Sequence, residues 1–271
     1  MMHPLPWPAE AIWEAVSPRL PGFSVEVLAQ VDSTNTELIR RARAGRTEPV
    51  LLVAERQTAG RGRLGKPWHS ESGPAALTFS LGMPLGPQDW SGLSLMVGLV
   101  AAQALDPRIR LKWPNDLWVD DRKLGGILIE TAGLEGVPPP AGSASASSHG
   151  SSPARYLVVG IGLNIGLPPA EGLSVPPAAL RELQPEAQAG QALAAIVPPL
   201  IAALQGFEDT GFAPWADRYA ERDLLAGRAV VLSDGTQGIA RGVDAGGALL
   251  VHTDRGLRKV TSAEVSVRPA A

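Results

Sequence analysis

The stretch "AGRGRLGKPW" at residues 59–68 constrains the fold more than any other, because Gly60, Gly62 and Gly65 satisfy G-x-G-x-x-G. A genuine dinucleotide fingerprint would commit the chain to a Rossmann βαβ unit and to nicotinamide or flavin chemistry. It needs a strand, the glycines directly after it, and a helix whose N-terminus meets the pyrophosphate. Here the strand ends near Glu55 and four residues intervene before Gly60. After Gly65 comes Lys66-Pro67-Trp68, then "HSESGPA". Proline suits the first position of a helix, but Ser70, Ser72, Gly73 and Pro74 would end one at once. The acidic residue expected about 20 positions further on has no counterpart near "LGMPLG". Three glycines in six residues arise readily in a chain with 30 of them. The Rossmann reading is set aside, and a nicotinamide oxidoreductase with it.

The flanking segments then decide the fold class. "GFSVEVLAQV" (22–31) alternates apolar and polar residues as a strand does. "DSTNTELIRRARAG" (32–45) reads as a helix. Thr34 and Glu37 have capping-box spacing, and Gly45 sits where a helix C-terminus favours glycine. Arg40, Arg41 and Arg43 lie at the end where the helix dipole favours cations. "PVLLVAE" (49–55) and "ALTFSLGM" (76–83) are strands on either side of the glycine loop. "WSGLSLMVGLVAAQAL" (90–105) stops at Asp106-Pro107, too short to span a bilayer, and reads as a buried core helix. "RIRLKW" (108–113), "LWVDD" (117–121), "KLGGILIET" (123–131) and "YLVVGIGLNIG" (156–166) are strands, with "DDRK" as a polar turn. Residues 133–154 are Pro, Gly, Ser and Ala almost throughout, a flexible surface insertion to which no function is assigned. Residues 177–222 are helical in character, with Pro198-Pro199 expected to break the helix. From Asp223 onward short alternating strands are separated by DG, AGG and DRG turns. That texture is a small all-β unit, with a domain boundary near residue 222.

Composition narrows the chemistry. The chain has no cysteine, which excludes disulfides, thiolate metal sites and a cysteine nucleophile. Its four histidines, at 3, 69, 149 and 252, make no metal-site spacing. A net charge of −3 offers no general attraction to nucleic acid or to an anionic membrane. The start, "MMHPLPWPAEAIWEAV", has no basic n-region and is not a signal peptide. The expectation is a soluble, cytoplasmic protein.

Four groups of polar residues stand out from the apolar strands. Arg61, Arg63 and Lys66 put three cations on a loop whose glycines admit a ligand close to the backbone, and guanidinium forks suit phosphate and carboxylate. An isolated R-x-R is more often a solvated loop, and Trp68 beside it is more often core. "VDSTN" (31–35) places Ser33, Thr34 and Asn35 at a strand-to-helix junction, where plain capping explains one of them. "LKWPNDLWVDDRKLGGILIE" holds Lys112, Asn115, Asp116 and Lys123 within twelve positions. Lysine is rarely buried unpaired, so Lys112 either has a partner or ends a strand at the surface. "GIGLNIG" ends a strand with Asn164, its glycines leaving room for something flat. An RNA-binding protein using R-G-R would show a basic surface with exposed aromatics, whereas this chain is mildly acidic and its tryptophans sit in apolar segments.

Taken together and in order, "DSTN", "AERQTAGRGRLGKPW", "LKWPNDLWVDDRKLGGILIE" and "VGIGLNIG" make residues 31–166 resemble the catalytic core of the biotin–protein ligases. The likeness continues more weakly through "FAPWADRYAERDLLAGRAVVL". It implies an α+β fold: a mixed β-sheet flanked by helices, related to class II aminoacyl-tRNA synthetases, with a small C-terminal SH3-like β-barrel. The domains would be 1–222 and 223–271. The glycine loop then resembles the family's adenylate-binding loop.

The resemblance implies roles. Ser33, Thr34, Asn35 and Gln57 would meet the biotin head group. Gly60, Arg61, Gly62, Arg63 and Lys123 would surround the carboxylate and phosphate, with Lys123 and Arg63 catalytic. Gly126, Gly160 and Gly162 would line the biotin pocket. Lys66, Trp68, Lys112, Asn115 and Asn164, with Arg63, would serve the nucleotide. Lys66 stands where many members carry arginine, and Pro67 is unusual. ATP, with Mg²⁺ riding on its phosphates, would activate biotin as biotinyl-5′-AMP. A lysine of a biotin carboxyl carrier domain would receive it, by default that of acetyl-CoA carboxylase. A lipoate or octanoate ligase on a related fold handles an acid without a ureido ring, so the polar "DSTN" cluster favours biotin. About thirty residues precede the first motif, too few for the winged helix-turn-helix of repressor members. The expectation is no DNA binding and no repressor activity. A homodimer is left open.

Overall fold

The computed structural model describes residues 7–68, 75–134, 154–171, 173, 175–261 and 267–269. The Ser-rich insertion (137–153) therefore lies outside the described residues. Seven strands form one sheet: β1 (Ser24–Leu28), β2 (Val50–Ala54), β3 (Ala76–Leu85), β4 (Arg110–Lys112), β5 (Asp116–Val119), β6 (Arg122–Gly133) and β7 (Arg155–Asn164). Their order is β1-β2-β3-β7-β6-β5-β4. β1 and β2 run parallel and the other neighbours antiparallel, which is the mixed sheet the resemblance implied.

Side chains along a strand alternate between faces, and the sheet uses both. Leu51, Val53, Leu157, Val159, Ile161 and Leu163 point into the main core. That core is closed by α1 (Ala9–Val16), α3 (Leu93–Leu105) and α4 (Ala189–Thr210). Val50, Leu52, Tyr156 and Val158 point to the opposite face, where α2 (Thr34–Arg43) covers them with Leu38 and Ala42. This small second cluster covers only part of that face, and the remainder forms the cleft described below.

Two expectations need correction. The helix over 189–210 runs through Pro198-Pro199 instead of breaking there. The two prolines withdraw the N–H groups that would reach the carbonyls of Ala194 and Ala195. Those residues are half-buried and exposed, so water can meet the freed oxygens. The opposite face, with Ile196, Val197, Leu200, Ile201, Leu204 and Phe207 fully buried, holds the helix in place. By length and composition α4 is apolar enough to cross a membrane; here that face is spent on the core.

The second correction is at α2, whose N-cap is Ser33 rather than Thr34. The Ser33 hydroxyl accepts from the Thr36 N–H at 3.4 Å. The Thr34 N–H, an orphan donor of the first turn, is taken by Gln57 Oε1 at 2.8 Å. Glu37, with no box to close, pairs with Arg40 and Arg41. Gly45 does follow the helix with φ +81°, as its position predicted.

Beyond α5 (Ala216–Ala220) the chain forms β8 (Ala229–Leu232), β9 (Gln237–Val243), β10 (Leu249–Thr253), β11 (Gly256–Val260) and β12 (Val267–Pro269). These make a five-stranded antiparallel sheet in the order β11-β10-β9-β8-β12. Its approach is sewn to β4: the Leu111 N–H donates to Arg222 O at 2.8 Å, and the Leu224 N–H to Leu111 O at 2.9 Å. The Trp113 indole N–H, fully buried, donates to Gly247 O at 3.1 Å and ties the two sheets together.

Candidate active site

Strand register builds the site. On the face shared with α2, Ser80, Gly160 and Leu128 stand in one row across β3, β7 and β6. Thr78, Gly162 and Gly126 stand in the next. Glycine at 160 and 162 lets Asn35 and Trp68 pack down onto the sheet surface and wall a hollow beside it. A Cβ at Gly160 would lie 2.2 Å from Asn35 Oδ1, and one at Gly162 would lie 2.4 Å from the Trp68 indole. The hollow opens into a cleft of about 1000 Å³. Every residue assigned to the site from sequence lines that cleft, except Gly60. Gly60 is buried beneath the loop, where a Cβ would meet Trp68 O at 2.5 Å.

The closed end of the cleft is polar and buried. Ser33, Thr34 and Asn35 are 3–4% exposed and Ser80 not at all. Thr34 Oγ1 donates to Gln57 Oε1 at 3.2 Å. Ser80 Oγ lies 2.7 Å from Thr34 Oγ1 and 2.6 Å from Asn35 Oδ1, so its single proton serves one or the other. Asn35 Nδ2 donates to Leu128 O at 3.1 Å and to Glu130 Oε2 at 2.9 Å. A buried polar array of this kind is costly unless its members are partnered. It offers a ligand both donors and acceptors in fixed places, which suits a neutral polar ring better than a hydrocarbon.

Cations gather along the middle of the cleft. Residues 60–68 fold back on themselves, with the Gly62 N–H on Lys66 O at 2.7 Å and the Trp68 N–H on Gly60 O at 2.9 Å. Arg61 and Lys66 are exposed on this loop, and Arg63 is half-buried. Arg61 reaches Glu130 at 3.2 Å. Arg63 donates to Asn115 Oδ1 at 3.4 Å. Burial pushes the Arg63 guanidinium below its usual pKa, and the negative charge of Asp116 opposes that; an arginine remains charged regardless. Lys123 is the second residue of β6, just after the Asp120-Asp121 turn, whose φ angles of 47° and 56° are those of a type I′ hairpin. Its ammonium lies 2.7 Å from Asp116 Oδ1 and 5.9 Å from the Trp68 ring centroid.

The backbone beneath Lys123 is pinned. Its N–H donates to Pro176 O, and its carbonyl accepts from the Ala178 N–H at 2.8 Å. Asn164 Nδ2 donates to the Lys123 and Ala178 carbonyls at 3.3 and 3.0 Å. Asn164 therefore lines the cleft while spending its amide protons on holding Lys123. Asn115 likewise commits its amide to Ile127 O at 2.7 Å. Lys112 stands 5.3 Å over the Trp118 ring. Trp68 and Trp118 both line the cleft, and their indole N–H groups are buried without a hydrogen-bond partner.

Sequence reasoning assigned no role to Ser80, Glu130, Asp116 or Arg228. Ser80 had a signal: Thr78 and Ser80 are the polar residues of a buried strand at period two, which marks a face turned from the apolar core. Glu130 closes the apolar run "GGILIE", and Asp116 lies inside the same motif as Lys123. Arg228, on the far side of the presumed boundary, carries no local signal.

Comparison with known proteins gives the family. Residues 27–138 match the model of the biotin/lipoate A/B protein ligase family, and residues 227–268 that of the biotin protein ligase C terminal domain. The chain is 36% identical over 263 residues to the bifunctional ligase/repressor BirA of Escherichia coli, covering 93% of this chain and 76% of the relative. It is 31% identical over 255 residues to the biotin–[acetyl-CoA-carboxylase] ligase of Paracoccus denitrificans, covering 88% and 98%. Among solved structures, the biotin protein ligase from Aquifex aeolicus in complex with biotin and ATP superposes with a TM-score of 0.72. That pair is 26% identical and covers 91% of this chain and 99% of the other.

Proposed function

This chain belongs to the biotin/lipoate A/B protein ligase family, and on that premise we propose that it is a biotin–[acetyl-CoA-carboxylase] ligase. It would activate biotin with ATP and transfer it to a lysine of a biotin carboxyl carrier domain in the cytoplasm. The reading takes up ligation and not repression. It divides the chain near residue 222 into a ligase domain (1–222) and a C-terminal unit (223–271), in keeping with a C-terminal family match that starts at 227. One observation carries the proposal: the closed polar pocket at Ser33–Asn35 and the cations at Arg61, Arg63 and Lys123 share one continuous cleft.

The first half-reaction joins two anions. A biotin carboxylate oxygen attacks the α-phosphorus of ATP, an acyl–phosphate bond forms, and the bond to pyrophosphate breaks. With the ureido ring in the polar pocket, the acid's tail points toward Lys123. The Lys123 backbone is fixed by its own bonds and its ammonium rests on Asp116, so a cation already stands beside the place where charge would develop between carboxylate and phosphate. Arg61 and Arg63 approach from the loop above. In the second half-reaction the carrier amine attacks the acyl carbon, an amide forms, AMP leaves and a proton is released. No protein nucleophile is required.

Mg²⁺ would enter as part of the ATP complex, shielding phosphate charge. Among the described residues no three His, Asp or Glu converge as a metal site. The carboxylates on the cleft are Asp116, Asp121 and Glu171. Asp116 and Asp121 each hold a cation on one oxygen, an arrangement that fits an ion already bound to phosphates better than a resident one.

The test is ATP–pyrophosphate exchange with biotin, lipoate, octanoate or no acid, followed by transfer to a carrier domain. Exchange is expected with biotin alone. Exchange driven by lipoate or octanoate would move the chain to the other branch of its family.

A further inference from the structure

Glu130 is not among the residues that line the cleft, yet its carboxylate holds the Asn35 amide, which is. We propose that Glu130 is a positioning residue for biotin: it locks the Asn35 amide in the one orientation that turns Oδ1, an acceptor, toward the ring. The proposal rests on the ligase reading above.

Strand register puts Glu130 where it can do this. Gly126, Leu128 and Glu130 alternate along β6 and share a face with Gly162, Gly160 and Val158 of β7. Both amide protons of Asn35 go to this strand, one to Leu128 O at 3.1 Å and one to Glu130 Oε2 at 2.9 Å. Oδ1 is thereby turned to the Ser80 hydroxyl at 2.6 Å and lies over Gly160, which lines the cleft with Asn35.

An amide has a second orientation, a half-turn about its last bond, that exchanges oxygen and nitrogen. In it Oδ1 would face Leu128 O and the Glu130 carboxylate, acceptors both, and Nδ2 would face Ser80. Ser80 tolerates either orientation, because a hydroxyl donates and accepts alike. The choice therefore falls to Leu128 O and Glu130, and the bond to the carboxylate is the stronger of the two. Without Glu130 a single backbone carbonyl would oppose the flip. The lock decides what the ring meets. The Ser80 proton takes at most one lone pair of Oδ1, and the other accepts from a ring N–H. Reversed, the amide would set its own N–H groups against those of the ring. A ureido ring carries two N–H groups, so the locked orientation selects it over a ring that has none.

Arg61 does not account for the carboxylate. Its pair with Glu130 has side chains 46% and 30% exposed, and ion pairs so open to solvent contribute little. The bond to Asn35 reaches a residue almost wholly out of water, where the same contact is stronger.

The test separates acceptor from bulk. Biotin binding is measured by calorimetry, and KM for biotin and for ATP by pyrophosphate exchange, for wild type, Glu130→Gln, Glu130→Met and Glu130→Ala. Gln keeps an acceptor for Asn35, whereas Met keeps the bulk and removes the acceptor. Glu130→Met and Glu130→Ala are expected to weaken biotin by roughly tenfold or more, with KM for ATP within about threefold of wild type. Glu130→Gln should recover most of the loss. The Met and Ala variants should also discriminate less against a biotin analogue methylated on its ureido nitrogens, since a flipped amide no longer asks for a ring N–H. Wild-type biotin affinity in Glu130→Met would reduce Glu130 to packing and overturn the proposal, as would a Gln variant no better than Met. A loss in Glu130→Met that disappears as salt rises would place the effect in the exposed Arg61 pair and overturn it too. Absence of biotin-dependent exchange in the wild type would instead sink the ligase reading, an outcome that calorimetry with biotin alone keeps separate.

Discussion

Gly160→Ala offers the sharpest test of how the biotin end is built. An alanine Cβ at 160 would lie 2.2 Å from Asn35 Oδ1 and 2.9 Å from its Cγ. The strand has no room to retreat, because Gly160 pairs with Ser80 on one side and Leu128 on the other. Asn35 must therefore move, and it is 3% exposed with contacts to Leu128 O, Glu130 and Ser80. A buried polar group left without its partner costs about 1–3 kcal/mol. Asn35 holds three hydrogen bonds, to Leu128 O, Glu130 and Ser80, and shifting α2 restores only part of their loss, so a net cost of about 2–4 kcal/mol is expected. In a chain of this size that lowers Tm by about 5–15 °C. The same displacement removes a polar wall of the pocket, so KM for biotin should rise by roughly tenfold or more. Two neighbours act as internal controls. Gly162→Ala drives into Trp68, which follows the exposed residues 64–67 of a loop that can yield, so Tm should change little while KM for ATP rises. Gly126→Ala meets nothing closer than 3.4 Å and should melt like the wild type. Thermal melts and steady-state pyrophosphate exchange on all three variants decide the matter. A Gly160→Ala protein with wild-type Tm and wild-type KM for biotin would refute the reasoning, as would three alanines of equal effect.

Other consequences follow from single residues. Lys123→Ala should cut pyrophosphate exchange by about 10²–10³, the usual loss for one preorganised donor; near-normal exchange in the folded variant would leave Lys123 as no more than the end of a turn. Arg63→Gly should still make the adenylate but release it faster, because a closing charge-assisted contact mainly slows escape. Biotin label on an added non-carrier protein, with adenylation rates matched, should then exceed that of wild type, and equal labelling would assign Arg63 to binding or chemistry instead. Burial raises the Asp223 carboxyl above its usual pKa of 3.8, against the opposing N–H groups of Leu225 and Ala226. Its stabilising contribution is thus full below that unfolded value and lost as pH rises through the raised one. The Tm of Asp223→Asn relative to wild type should therefore increase from acid to neutral pH, and a difference that ignores pH would show that the carboxyl titrates normally.

What could be read from the sequence depended on how local each signal was. Alternation along "SVEVL" and the apolar runs of β2, β3 and β7 report burial residue by residue, so those strands were legible. Gly45 at the end of α2 was legible for the same reason, since a left-handed residue is a local demand. The N-cap was not, because its outcome depends on Gln57, 23 residues away, arriving to take the Thr34 N–H. α4 was misread because two prolines are a strong local veto, whereas what keeps the helix whole is the core its other face fills. The candidate site divided along the same line. Its strand and loop motifs lie within short stretches, and the structure brings them to one cleft. Ser80 and Glu130 enter only through register, and Arg228 only through the packing of the second sheet against β4.

The cleft also separates two tasks that a ligase of this kind must reconcile. Its closed end is held by neutral or singly charged hydrogen bonds among groups almost wholly out of water. Such a network is strong in a low dielectric and expensive to break, which gives the ring a rigid receptacle. Its cations are held differently. Arg61 rests on Glu130, Lys123 on Asp116 and Arg228 on Asp121, each pair partly open to solvent. Exchanging one anion for another in such a pair costs little, because water already screens it. On the proposed reading, an incoming carboxylate or phosphate would draw these cations from their acids at little cost, while Glu130 keeps its bond to Asn35 in the pocket beneath. The acids in turn keep three cations from repelling one another in an empty cleft. Rigid recognition of the ring and ready transfer of charge thus sit side by side because one is built on buried strands and the other on their solvent-facing ends.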